Sequence, residues 1–500
     1  MHPTQHSRCT TILLALLGMA AGGQAQTVPV ATQFVDSQDG IGHMLVVPYY
    51  TVQGGNATLL NITNSDKVNG KAVKLRFRGA SNADDVFNFT LFLSPGDVWA
   101  AEISQNPATG LARLSTPDDS CTLPTSVNRD FNTARLNPAS DVANESREGY
   151  IDIITMADMV PGTAVYTATT HVDGKLPAPC SQGAPAPTAL QALLSAAGIS
   201  AAGFSAPTTG LFANWSIFNV ADATSWAGAA TAIVAVDSQG LSGKGRVVVF
   251  PQAAGALENV VGNLTSDPLL RSGAIATQPF DLPDLSTPYL DGITPLQQAS
   301  MLSSAWAKSS VRNEYFIDKG VQAATDWLMT LPTRRYSVAV DYTKNQPVYT
   351  SLPKAHISAA NITFLPHRGF GFVGACVFGT SDQYWNRSSE MMTDDFVTMP
   401  LIGEREMVLC GAVSVWSINA KAGLANSVLA STVVHNSRAL AYETPAGWAE
   451  VQTPGLSNAG LPLIGAAFAK ATSTNIGAGV SGNFGLTWPH RYTRPSVGAQ

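Results

Sequence analysis

Charge is scarce in this sequence. Asp, Glu, Lys and Arg make up 13% of its 500 residues, about half the roughly 25% usual in soluble proteins. The net charge is −6, and no run of Lys or Arg exceeds two, so the clustered cations that phosphate recognition needs are missing and nucleic acid is excluded as a partner. Beyond residue 25 there is no CxxC, HxxxH or HExxH spacing, which excludes the common zinc sites. No GxSxG elbow exists, and the stretches around Ser242 and Ser481 miss its spacing, which removes the usual serine-hydrolase signature. The longest apolar stretch near the amino terminus, TILLALLGMA at 11–20, is too short to span a bilayer.

That stretch sets the compartment. His2, His6 and Arg8 precede it, no acidic residue occurs before Asp36, and Gly23-Gln24-Ala25 offers a small-x-small cleavage site. A secretory signal peptide over 1–25 is expected, with Gln26 as the mature terminus, an exported chain and no transmembrane segment after cleavage. Cleavage would remove Arg8 and no acid, taking the net charge from −6 to −7. Cys9 falls in the basic region and is no lipid acceptor. Four cysteines remain, Cys121, Cys180, Cys376 and Cys410. An even number in an exported chain reads as disulfides with three possible connectivities. Two in each half favour Cys121 with Cys180 and Cys376 with Cys410, each worth about 4 kcal/mol in the chain-entropy model.

What is present is strand and turn. Gly and Pro number 43 and 30, enough for many short strands. From 42 to 103 the pattern reads as an antiparallel meander: 44–52, 58–63, 73–78, 87–93 and 98–103, joined at Gln53-Gly54-Gly55-Asn56, at Asn69-Gly70 and at Ser94-Pro95-Gly96-Asp97. Val73, Leu75 and Phe77 alternate with Lys74, Arg76 and Arg78, which predicts one buried and one solvated face. A long polar excursion over 104–147 follows. Further strands are expected at 150–156, 163–171, 211–220, 229–236 and 246–250. The spacing predicts helices over 188–197, 256–264 and 294–307, the last opening with Thr294 as N-cap and Pro295 at N1. Strands return at 326–331, 335–342, 357–364, 371–378, 407–418 and 431–435. A closing hairpin pairs 448–451 with 461–469, ahead of a loose Gly/Ser/Asn-rich end.

The expected fold is therefore mainly β: antiparallel β-sandwich domains with a few short helices and long disulfide-pinned loops. Residues 26–252 form an N-terminal sandwich, 253–325 a helical or irregular connector, and 326–500 a C-terminal sandwich. An outer-membrane barrel is disfavoured by the disulfides, the helical middle and the non-aromatic end Val497-Gly498-Ala499-Gln500.

The segments PYYTV at 48–52, KAVKLRF at 71–77, LSPGDVW at 93–99, EGYIDII at 148–154 and TDWLMTLPTRRY at 325–336 carry a likeness. Over about 40–491 the chain resembles a family of exported proteobacterial cell-surface, surface-layer-like proteins. That resemblance implies an envelope location and β architecture, and it supplies no catalytic residue.

The remaining constellations are weak. GxGxxG at 369–374 runs into Ala375-Cys376-Val377-Phe378, a strand rather than the helix that pyrophosphate binding needs. The pairs Asp84-Asp85, Asp118-Asp119 and Asp394-Asp395 suit turns better than a glycosidase cleft. N-x-S/T triplets such as those at Asn56, Asn61, Asn88 and Asn361 follow from composition. Calcium is a possible cofactor at Asp36 and Asp39 or at Asp281, Asp284 and Asp291, where carboxylates are closely spaced in loops. No other cofactor is expected. The expected function is a secreted structural protein of the cell surface or extracellular space, self-associating or bound to other envelope components, with the periplasm as an alternative location. The second reading is a ligand- or glycan-binding module using Tyr384-Trp385 or Trp215. A hydrolase with a site built from distant loops comes third.

Overall fold

A computed structural model describes residues 28–134, 136–176, 190, 203–248, 288–336, 338–341, 346–350, 362–366, 373–379, 382–391, 407–419, 427–440, 445–455, 458–477 and 480–495. The proposed signal peptide and the helices over 188–197 and 256–264 lie outside them, apart from Leu190.

The described chain is mainly β. An eight-stranded sheet runs β1 (Gln33–Asp36), β13 (Thr231–Val236), β2 (Met44–Thr51), β9 (Glu148–Met159), β4 (Gly70–Gly79), β5 (Asp85–Leu93) and β8 (Thr122–Leu123), with β10 (Phe204–Ser205) on β9. A five-stranded sheet runs β12 (Thr224–Ala229), β11 (Leu211–Asn219), β3 (Asn56–Asn64), β6 (Val98–Gln105) and β7 (Ala112–Ser115). In the second half, β24 (Val434–Ala439), β23 (Val413–Asn419), β16 (Ala324–Thr330), β27 (Ile464–Gly477) and β28 (Val480–Pro489) form another five-stranded sheet. Beside it, β21 (Asp382–Asn386), β25 (Ala446–Gln452), β15 (Ser310–Phe316) and β29 (Arg491–Thr493) make a four-stranded sheet. Smaller pieces are β14 (Ala307–Lys308) with β26 (Leu461–Pro462), β17 (Val338–Asp341) with β18 (Gln346–Thr350), and β19 (Ile362–Pro366), β20 (Val373–Gly379) and β22 (Met407–Cys410). Pairing is antiparallel except between β23 and β24. The helices are α1 (Val142–Ser146), α2 (Ala164–Thr169) and α3 (Pro295–Ala305).

The strands of 42–103 form where expected, but not as a meander. β2, β4 and β5 enter the eight-stranded sheet, while β3 and β6 pair in the other. The burial patterns give the reason. β3 alternates and keeps one wet face, whereas β2, β4 and β5 are buried throughout, so each strand joins the layer its pattern can satisfy. Phe89 of β5 meets Trp99 of β6 at 5.6 Å between ring centroids, and Phe77, Phe87 and Phe131 cluster within 5.7 Å of one another.

The solvated face expected for Lys74, Arg76 and Arg78 is not found. All three are buried, because β4 lies between β9 and β5 and a second layer covers their side. Tyr150, opposite Arg78, donates to the Pro332 carbonyl at 3.4 Å.

Residues 163–171, expected as a strand, hold α2. Thr163 caps it by accepting the Tyr166 amide at 3.4 Å, and Gly162, at φ 81°, turns the chain into the cap. α3 begins as expected, with a capping box between Thr294 and Gln297. Part of the expected connector is sheet, since β14 and β15 lie at 307–316. The expected closing hairpin does not form: β25 pairs with β15 and β21, and β27 with β16 and β28. The Gly/Ser/Asn-rich end is ordered as β28 along most of β27, whose length supplies the ladder that composition hid.

One hydrophobic cluster joins both halves, running from Leu60, Trp99 and Ile151 to Leu328, Val413, Leu429 and Phe468. Trp226 Nε1 donates to the Ala469 carbonyl at 2.9 Å, and the Thr330 hydroxyl to the Pro48 carbonyl at 2.6 Å.

Candidate functional site

Three places gather polar chemistry. The first is the set of buried ions on β4 of the eight-stranded sheet, Lys71 on one face and the row Lys74, Arg76 and Arg78 on the other. Lys71 lies 2.7 Å from Asp158 and 3.1 Å from Asp66, Lys74 donates to Asn88 at 2.7 Å, and Arg76 meets Asp85 at 2.8 Å. Arg78 Nε reaches Asp152 at 3.3 Å. Each cation has a partner, so the set holds strands in register and offers no group to a substrate. Burial pushes the Asp158 carboxyl up, against the opposing pull of Lys71.

The second is a cleft of about 280 Å³ where the first strand meets the last. Asp36 at the end of β1 takes Arg494 Nη2 at 2.9 Å and lies 3.5 Å from Lys308 Nζ. Lys308 Nζ also sits 3.6 Å from the centroid of Tyr492, a cation–π contact. Burial brings the Lys308 amine down to about 8, with Asp36 opposing the shift and Arg494 reinforcing it. His490 lines the same cleft, but its Nε2 faces the Leu328 carbonyl at 2.9 Å and its Nδ1 faces Asn313 at 2.8 Å. A base for nucleophilic catalysis needs a ring nitrogen turned to the nucleophile, and both are engaged here. The cleft is a clasp between the ends of the fold.

The third is the outer face of the sheet β12-β11-β3-β6-β7. Phe218, Leu59 and Val98 point outward at 38%, 38% and 49% exposure. Around them stand Asn214, Ser216, Asn61, Thr63 and Ala100 in register across the strands. Glu102 and Arg113, at the β6/β7 end, are the charged residues of this face.

Of the calcium candidates, the described ones make separate contacts. Asp36 is committed to cations. Asp39 belongs to a polar turn, accepting the Ser37 hydroxyl at 2.6 Å and the Ile41 amide at 3.0 Å, and the serine contact holds its carboxyl below the usual range. Asp291 is exposed before α3, and Asp281 and Asp284 lie outside the described residues. Among the described residues no three His, Cys, Asp or Glu side chains cluster with metal-binding geometry. No helix among the described residues is long and apolar enough to cross a membrane.

Cys376 stands directly opposite Cys410 in the β20–β22 ladder, while Cys180 lies outside the described residues. The GxGxxG run ends in β20, a strand as expected. Of the aromatics expected to bind ligand, Trp215 is 2% exposed and packs on Phe468 at 5.7 Å. Tyr384 is buried against Trp416. Trp385 alone stays partly open, stacked on Trp448. Sequence reasoning missed Lys308, Tyr492, Arg494 and Trp448, since each acquires meaning from a strand partner remote in the chain. No family model, curated protein or solved structure matches this chain.

Proposed function

We propose that the chain is an exported structural protein of the cell surface that assembles with copies of itself through weakly charged sheet faces. The observation that carries this reading is where its few charges lie. Lys71, Lys74, Arg76, Arg78, Lys308 and Arg334 are buried, as are Asp84, Asp85, Glu148, Asp152, Asp158 and Asp326. A sequence already poor in charge thus presents still less of it to solvent, and weakly charged surfaces resist association poorly. The face centred on Phe218 and Leu59 is the surface for that contact. Repeated contacts that do not close on themselves propagate into sheets or filaments.

The finer architecture belongs to the same reading. The two larger sheets of the first half form a β-sandwich, residues 1–25 are removed on export, and disulfides join Cys121 with Cys180 and Cys376 with Cys410. The register supports the second bond, because directly opposed antiparallel residues stand roughly 4.5–5.5 Å apart at Cα, within disulfide range.

Light scattering and electron microscopy of the mature protein test the assembly. Large ordered particles are expected, and Asn214→Lys or Leu59→Lys should disperse them while circular dichroism stays unchanged. A chain that remains monomeric at high concentration, with no array on cells, would sink the reading. Non-reduced peptide mapping tests the bonds, and a peptide linking Cys121 to Cys376 would overturn the pairing.

A further inference from the structure

We propose a binding site for a neutral polysaccharide on the outer face of the sheet β21-β25-β15-β29, a site independent of self-assembly. Trp385 and Trp448 are cross-strand partners whose rings lie 3.9 Å apart and 6° from parallel. Neighbouring strands are about 4.8 Å apart, so the two indoles stand side by side on the face as one rigid wall. Trp448 keeps 37% of its surface exposed, an unusual cost for a large aromatic already stacked on its neighbour. The next residue across from it is Glu314, on β15.

One rung along, at about 7 Å for two residues of strand, a polar floor crosses the same face. Gln383, Glu450, Arg312 and Arg491 are in register there. Arg312 Nη2 pairs with Glu450 at 2.7 Å, which holds both side chains in place. Among the described residues, nothing hydrogen-bonds the exposed Glu314 carboxylate or the Gln383 amide.

An apolar wall beside fixed amide, carboxylate and guanidinium groups matches a sugar. A pyranose has a C–H face that packs on an aromatic ring, and vicinal hydroxyls that pair with planar two-point donors and acceptors. The charge balance argues for a neutral chain, since Arg312 and Arg491 offset Glu314 and Glu450. A proline-rich peptide needs an open slot between aromatic rings, and here that slot is closed at 3.9 Å.

Native-gel retardation of the mature protein in hydroxyethyl cellulose, dextran or mannan tests the site, with indole fluorescence titration giving the affinity. Retardation by at least one of these neutral polymers is expected, with affinity lowered at least ten-fold in Trp448→Ala. Because that change could disturb β25, Gln383→Ala and Glu314→Gln serve as second variants. They leave the stack intact and should each weaken binding several-fold. No retardation in any of the three polymers, retardation by dextran sulfate alone, or full affinity in all three variants would overturn the proposal. So would an indole shift with a polyproline peptide that the sugars do not compete away. None of these outcomes bears on self-assembly, because this face and the one centred on Phe218 belong to different sheets.

Discussion

The carboxylate of Glu148 accepts the Ser431 hydroxyl at 2.7 Å, joining residues 283 apart in the chain. It also takes the Tyr49 hydroxyl at 2.6 Å, the Thr432 amide at 2.8 Å, and the Thr432 hydroxyl. One buried carboxylate is thus saturated by donors from both halves. Hydrogen bonds to a charged group are worth about 1.5–3 kcal/mol each, and donors left buried without a partner cost more than the bond alone. Glu148→Ala should therefore lower stability by on the order of 3 kcal/mol, and Glu148→Gln by less, read from urea midpoints at unchanged slope.

His43 and His490 are both buried, each with Nε2 facing a backbone carbonyl. His43 Nε2 faces the Gly243 carbonyl at 2.9 Å while its Nδ1 accepts the Ala235 amide at 3.1 Å. Both rings are thereby fixed as neutral imidazoles with the proton on Nε2. Burial brings each down to about 4. Below pH 6.5 the unfolded chain gains protons that the fold refuses, so stability is lost between pH 6.5 and about 4. Each ring accounts for about 3 kcal/mol. Asp326 works the other way: burial raises its carboxyl to about 6, so stability is gained as pH falls from 6 to about 3.8. The raised carboxyls of Asp97, Glu145 and Asp158 side with Asp326, the lowered ones of Asp39, Asp66, Asp130 and Glu450 side with the two histidines, and the net expectation is acid lability. Urea midpoints across pH 4–7 should fall toward acid, less steeply in His490→Gln and more steeply in Asp326→Asn. A flat profile in the unmodified protein would contradict the buried neutral rings.

Local rules made the strands legible, and partner identity escaped them. The turn at Ser94-Pro95-Gly96-Asp97 and the cap at Thr294 are short-range chemistry, and both stand in the fold as read, with Gly96 at φ 72°. Lys74, Arg76 and Arg78 misled because alternation reports two different faces and not which of them is wet. Their partners Asp85 and Asp152 come from neighbouring strands that periodicity does not pair. Trp448 carried no signal in its own stretch, since its stack on Trp385 depends on the β21–β25 register. The same limit hid the clasp around Asp36, which brings together residues 458 apart.

That clasp gives the last prediction. Asp36 was a reasonable calcium ligand by sequence, but Arg494 and Lys308 already neutralise it, and Tyr492 donates to the same oxygen at 3.4 Å. Removing the carboxylate leaves Lys308 buried beside Arg494 with no opposing charge. Asp36→Asn should therefore loosen β1 and β29, seen as faster amide exchange at Val35, in the β1–β13 ladder, and at Ser310 and Arg312, which pair with β29. The Lys308 amine is held at about 8 against an ordinary 10.5, so the unfolded chain binds more protons between those values and stability should rise from pH 8 toward 9.5. Losing Asp36 removes the contact that raises the amine, so the rise should begin at lower pH in the variant. Calcium should leave both the midpoints and the exchange rates unchanged in either protein. A calcium-dependent gain in the unmodified protein that disappears in Asp36→Asn would return Asp36 to the role of metal ligand and remove the clasp.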